Sequence, residues 1–123
     1  MTGFGVHTSM WTMSWDADGA ARAISAAKAS NMDFIEIALL DPGSTDATLG
    51  RRLLKAAELP AVCSLGVPEA YWPSKDPDGA IKFLTLALEK TAALGAVALS
   101  GVVYGGIGER TGHPPTMIEL DNV

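Results

Sequence analysis

The sequence predicts an α/β fold of four βα units with parallel strands, amounting to the N-terminal half of an eight-unit (β/α)8 barrel. Three observations carry this expectation. Strand-like and helix-like stretches alternate four times within 123 residues, close to the roughly 30 residues that one barrel unit takes. Strands separated by helices pair in parallel through right-handed crossovers, and such a sheet must be covered on both faces or closed into a barrel. The last unit also looks unfinished: a helix opened by Thr116 would have only about two turns before Val123, leaving Ile118 and Leu120 little to pack against. A single incomplete domain over residues 1–123 is therefore expected, with an open four-stranded flavodoxin-like sheet as the alternative.

The units read in order. Phe4 to Thr8 forms the first strand candidate, and an aromatic stretch from Trp11 to Trp15 follows it. Ala20, Ala23, Ile24 and Ala27 recur at helical spacing between Asp16 and Ser30, with Asp16 or Asp18 as the cap. Phe34 to Ala38 is short and rich in β-branched residues, hence the second strand. Asp41-Pro42-Gly43-Ser44 reads as a turn, and Leu49, Leu53, Leu54 and Ala57 mark one face of a helix from about Asp46 to Ala57. Ala61 to Gly66 is the third strand. After a loop through Pro77, the longest helix runs to Leu94 with Ile81, Leu84, Leu88 and Thr91 spaced by three or four, and Gly95 stops it. Val97 to Val102 is the fourth strand. A glycine-rich loop then leads to Thr116 and Glu119, which have capping-box spacing.

Composition excludes several classes. Nine Lys and Arg stand against fourteen Asp and Glu, a net charge of −5 without any basic cluster, which argues against nucleic acid as a partner. No apolar run approaches the roughly 18–20 residues of a membrane span. The first thirteen residues lack a basic start and an apolar core, so no secretory signal is read there. Cys63 is the sole cysteine, which rules out an internal disulfide and fits a cytoplasmic protein.

Several residues could carry chemistry. His7 falls at the C-terminal end of the first strand, the end at which barrel enzymes build their sites; it could bond a ligand hydroxyl or be satisfied by backbone or water. Trp11 and Trp15 could offer aromatic faces to an apolar ligand surface or plug the barrel rim. Glu36 sits among apolar neighbours, where an ionised carboxylate needs a partner: a ligand, or an ion pair for example with Arg110. Asp41 and Asp46 read as a turn residue and a helix cap, Cys63 as a packed inert thiol, and His113 as a solvated loop residue. The glycines at 101, 105, 106, 108 and 112 lack both the P-loop ending and the dinucleotide spacing, so a flexible loop beside a ligand is preferred to a phosphate cradle.

Phe4-Gly5-Val6-His7-Thr8-Ser9-Met10-Trp11, with Trp15 four residues on, resembles the first strand and loop of the ketose 3-epimerases (D-tagatose and D-psicose type) of the xylose-isomerase-like TIM-barrel superfamily. Asp33-Phe34-Ile35-Glu36-Ile37 is similar to that family's second strand, which carries a Glu here. Lys75-Asp76-Pro77-Asp78, Ala93-Leu94-Gly95-Ala96 and the segment Gly105 to Gly112 resemble its third repeat and the loop after its fourth strand. The resemblance implies a sugar isomerase or epimerase that moves a proton at a ketose carbon with a divalent metal, Mn, Co or Mg. That metal would be held by two Glu, one Asp and one His from the second half of the barrel, so no metal ligand and no catalytic residue is expected in this chain. It further implies that His7, Trp15, Glu36, Ser64 and Val102 form a wall of the sugar pocket. His7 departs from the family's usual Phe or Tyr, and Ser64 stands where a Cys or small residue occurs. A homo-oligomeric state is implied for the complete protein. The alternative is a non-catalytic half-barrel that associates with itself or a partner chain through its open edges. A superfamily relative acting on abasic DNA is disfavoured by the acidic charge.

Overall fold

A computed structural model describes residues 2–110 and 112–122. Met1, Thr111 and Val123 lie outside them. The elements are β1 (Gly5–His7), α1 (Ala17–Ala29), β2 (Phe34–Ala38), α2 (Ala47–Ala56), β3 (Ala61–Gly66), α3 (Pro77–Leu94), β4 (Leu99–Val102) and α4 (Met117–Asp121). Single 3-10 turns at Thr8–Met10 and Glu69–Tyr71 follow β1 and β3. The strands form one parallel sheet in the order β1-β2-β3-β4. This is an α/β fold of four βα units, as expected.

Local chemistry sets the helix ends. Asp16 accepts a hydrogen bond from Gly19 N–H at 2.8 Å and caps α1, Asp46 accepts from Leu49 N–H at 2.9 Å at α2, and Asp76 accepts from Gly79 N–H at 3.0 Å at α3. Pro77 occupies the first turn of α3, where no donor is missed. Gly95 ends that helix in the left-handed region at φ 77°. Thr116 and Glu119 form the reciprocal capping box of α4.

Two strands are shorter than in the sequence reading, and β1 begins at Gly5 rather than Phe4. β1 stops at His7 rather than Thr8, because the chain turns directly into the Thr8–Met10 turn. β4 starts at Leu99 rather than Val97. The approach nevertheless already bonds to β3, with Val97 N–H donating to Ala61 O at 3.0 Å and Cys63 N–H donating to Ala98 O at 2.8 Å.

Strand alternation divides the sheet into two unlike faces. Ile35, Ile37 and Leu39 point to one side and are 0% exposed, and Ala61, Cys63 and Leu65 of β3 are buried on the same side. That side packs against Ala20, Ala23, Ile24 and Ala27 of α1, Leu54 of α2, and Ala87 and Leu94 of α3 in one continuous core. Each fully buried Ile or Leu contributes about 1.5–3 kcal/mol by leaving water. Cys63 lies wholly inside this core, and burial pushes its thiol up, which keeps it unreactive. Among the described residues no helix is long and apolar enough to cross a membrane.

Among the described residues no helix packs on the opposite face. Residues facing it lie in rows across the strands: Gly5 and Phe34; His7, Glu36 and Val62; Ala38, Ser64 and Ser100; Gly66 and Val102. Phe34 lies across Gly5, where a Cβ would come 2.2 Å from the ring, so the aromatic floor requires glycine there.

Two changes test this packing. Gly101 has φ 120°, and a Cβ there would sit 1.9 Å from the Leu65 carbonyl oxygen. Gly101→Ala is expected to lose at least about 3 kcal/mol of unfolding free energy in urea titration, and a loss below about 1 kcal/mol would contradict the close approach. The hydrogen bond from Gly19 N–H, then that from Ser14, hold the Asp16 carboxyl below its ordinary 3.8. A folded value below the unfolded one means the cap's contribution is complete above the unfolded pKa and is lost as pH falls through the folded one. Asp16→Asn keeps an acceptor without a charge, so its stability is expected to fall less than wild type between about pH 5 and pH 3.

Candidate functional site

Four of the five residues singled out from the sequence share the helix-free face. His7 and Glu36 are paired in register on neighbouring strands. Ser64 lies one row nearer the C-terminal ends of the strands, beside Ser100, and Val102 lies in the next row beside Gly66. His7, Glu36 and Val102 are half-buried and Ser64 is buried. The face thus offers an imidazole, a carboxylate and serine hydroxyls above an aromatic floor, which suits a polyhydroxylated ligand more than an apolar one.

Trp15 is placed elsewhere. It is 8% exposed and packs in the helix-side core, close against Leu94 and against Gly50, where a Cβ would stand 2.6 Å from its Nε1. That nitrogen is buried with no hydrogen-bond partner among the described residues. Trp15 also lines a hollow of about 370 Å³ between the loops after β1 and β2, together with Ser14, Asp16, Ala38 and Asp41. Trp11 is half-buried against the same core.

Other expectations resolve on geometry. Asp41 accepts from Gly43 N–H at 3.0 Å and closes its turn, and its hydrogen bonds to Ser44 lower its carboxyl pKa. The ion pair suggested between Glu36 and Arg110 does not form; among the described residues the one ion pair joins Lys75 to Glu69 at 2.7 Å. The loop containing Arg110 instead folds back on its own Glu109. His113 is exposed and its Nδ1 lies 2.8 Å from the Pro114 carbonyl.

The C-terminal mouth of the sheet is organised by residues that composition and periodicity did not single out. Thr8 is buried, and its Oγ1 accepts from Ala38 N–H at 3.0 Å, tying the exit of β1 to the exit of β2. Trp72 donates from Nε1 to Val67 O at 3.1 Å, and Lys75 Nζ stands 4.4 Å from the ring centroid. Gly106 lies on this indole so closely that a Cβ would come 2.0 Å from it. Glu109 holds the glycine loop down: one carboxylate oxygen accepts from Gly106 N–H at 2.8 Å, and the other accepts from Ser74 Oγ–H. This latch leans Ile107 over Gly66, within 3.0 Å of where a Cβ would be. Strand alternation alone could have pointed to Ser100, two residues before Val102; the latch has no such signal, because it joins loops 35 residues apart.

Among the described residues, no group of three or more His, Cys, Asp or Glu side chains is placed to hold a metal ion.

No protein-family model matches the chain. It is 39% identical over 113 residues to an L-ribulose 3-epimerase of Methylomonas sp. (strain DH-1), covering 89% of this chain and 40% of that protein. It is 30% identical over 122 residues to a ketose 3-epimerase of Arthrobacter globiformis, covering 96% of this chain and 42% of that protein. The fold superposes with a TM-score of 0.89 on a D-allulose 3-epimerase from Methylomonas sp. crystallised in complex with D-allulose, at 35% identity over 98% of this chain and 43% of that one. An L-ribulose 3-epimerase structure at 22% identity shares the fold, with a TM-score of 0.85.

The latch generates a test. Glu109→Ala removes both of its hydrogen bonds, so initial tryptic cleavage after Arg110 should accelerate about 10-fold or more while cleavage after Arg22 stays unchanged. Equal rates at Arg110 would mean the loop is not held by Glu109. By sequence and by fold, the chain is a homologue of the ketose 3-epimerases, matching about two-fifths of such an enzyme over nearly its own whole length.

Proposed function

We propose that this chain forms the first four βα units of a ketose 3-epimerase barrel and that its helix-free face is one wall of the sugar pocket. The observation that carries the reading is the fit at TM-score 0.89 to an epimerase bound to D-allulose. The polar groups gathered on the bare face of that fold support it. His7, Glu36 and Ser64 bond sugar hydroxyls, Val102 packs against the C–H surface, and Trp15 backs the rim from the core side. Epimerisation removes the proton at C3, beside the keto carbon, and returns it from the opposite side, work suited to paired carboxylates. This chain's part is to bind, orient and exclude water.

The complete enzyme uses a divalent cation, Mn, Co or Mg, and supplies its ligands from outside this chain. The described residues do not fit such a site, and no step is assigned to a metal on them. We place the complete enzyme in the cytoplasm, as a homo-oligomer.

The test is turnover by the full-length polypeptide of D-allulose or L-ribulose in D2O. The expected product is the C3 epimer carrying deuterium at C3, with loss of turnover on chelation and recovery with one of those cations. The 123 residues alone are expected to show none. Unlabelled product, or no product from the full-length protein, would overturn the reading.

A second reading is a half-barrel that works by association. The outer edges of β1 and β4 and the 71% and 73% exposure of Met117 and Ile118 favour it. Concentration-dependent sedimentation of the 123-residue chain would support it, and a stable monomer would count against it.

A further inference from the structure

The geometry points to His7 as a fixed hydrogen-bond donor that, beside the acceptor Glu36, reads the orientation of a sugar hydroxyl. This rests on the sugar-pocket reading above and deepens it. Ser9 N–H donates to His7 Nδ1 at 3.2 Å, and Ser9 Oγ stands 2.6 Å from the same nitrogen. A backbone amide can only donate, so Nδ1 must present its lone pair. In the neutral ring the proton is therefore on Nε2. The bond is also the cap of the Thr8–Met10 turn, so turning the ring over would leave that turn uncapped.

His7 faces the helix-free side in register with Glu36 on the next strand, and parallel neighbours lie about 4.8 Å apart. Among the described residues neither His7 Nε2 nor the Glu36 carboxylate has a hydrogen-bonding partner. A donor-only group beside an acceptor-only group matches a hydroxyl that accepts from one and donates to the other. A ketose epimer whose hydroxyl points away would leave both half-buried groups unmet, which is how a polar site rejects a near-isostere. The Phe or Tyr ring implied at this place by the family pattern could not accept the Ser9 amide, so the device belongs to the His7-Thr8-Ser9 sequence.

Two measurements test it, the first independent of activity. Long-range 1H–15N correlation spectra of the 15N-labelled chain, with His113→Gln to separate the two histidines, are expected to show His7 protonated at Nε2 and bare at Nδ1. A protonated Nδ1, or an average of both forms, would overturn the lock. Second, in the full-length polypeptide, His7→Phe should raise KM for the ketose about 10-fold with a smaller change in kcat, the loss of one hydrogen bond. His7→Gln, which places an N–H near the Nε2 position, should recover most of that loss, whereas His7→Asn should not. His7→Phe equal to wild type would overturn the donor role. Should the wild-type protein epimerise no ketose, the sugar role falls with the functional reading, while the spectrum still decides the tautomer.

Discussion

A parallel sheet built from short crossovers in chain order must put its connecting helices on one side. Strands β1 to β4 are such a sheet, and the consequence organises the molecule. One face becomes the core, where Ile35, Ile37, Cys63 and Leu65 meet the small residues of α1 and the longer ones of α2 and α3. The other face is left to whatever chemistry the alternate residues carry. Because strands alternate with period two, a single register decides which side chains are buried for stability and which remain for a ligand. In β2 that register buries Ile35 and Ile37 and turns Glu36 outward to stand beside His7.

The mouth of the sheet depends on close backbone approach rather than on apolar area. Gly106 against Trp72, Gly50 against Trp15 and Gly101 against Leu65 are contacts that any side chain would break. The Trp15 ring shows how energetics and function divide along this rim. It stabilises the junction of α2 and α3 by burial, even at the cost of an indole N–H without a partner among the described residues, and also lines the adjoining hollow. Thr8, buried, and Glu109, by contrast, fix loops through hydrogen bonds to backbone or hydroxyl groups.

Much of this was legible in the residues. Caps were readable because Asp16, Asp46, Asp76 and Thr116 satisfy orphan amides by local geometry that needs no tertiary context. Parallel pairing followed from βα topology, whereas the grouping of His7, Glu36, Ser64 and Val102 came from the family resemblance, and the strand register is what puts them on one face. Trp15 was not resolved, since an aromatic just after a strand fits either the rim or the core, and what decides is the missing side chain at Gly50, far along the chain. A carboxylate in an apolar strand demands a partner, and on sequence alone Arg110 is a candidate for Glu36. The neighbouring Glu109 folds the loop back onto Ser74 and Gly106, and Glu36 is left for the open face. The tautomer of His7 needed coordinates, as it turns on which nitrogen meets one amide proton.

The most direct test of the central claim, that the helix-free face is the sugar face, is hydrogen–deuterium exchange of the full-length protein with and without saturating ketose. Protection is expected in the segments that rim that face, residues 8–14, 38–44, 66–74 and 103–110, while amides of α1 and of the outer turns of α3 exchange unchanged. Protection confined to the helix-side segments, with the rim unaffected at saturation, would contradict the account.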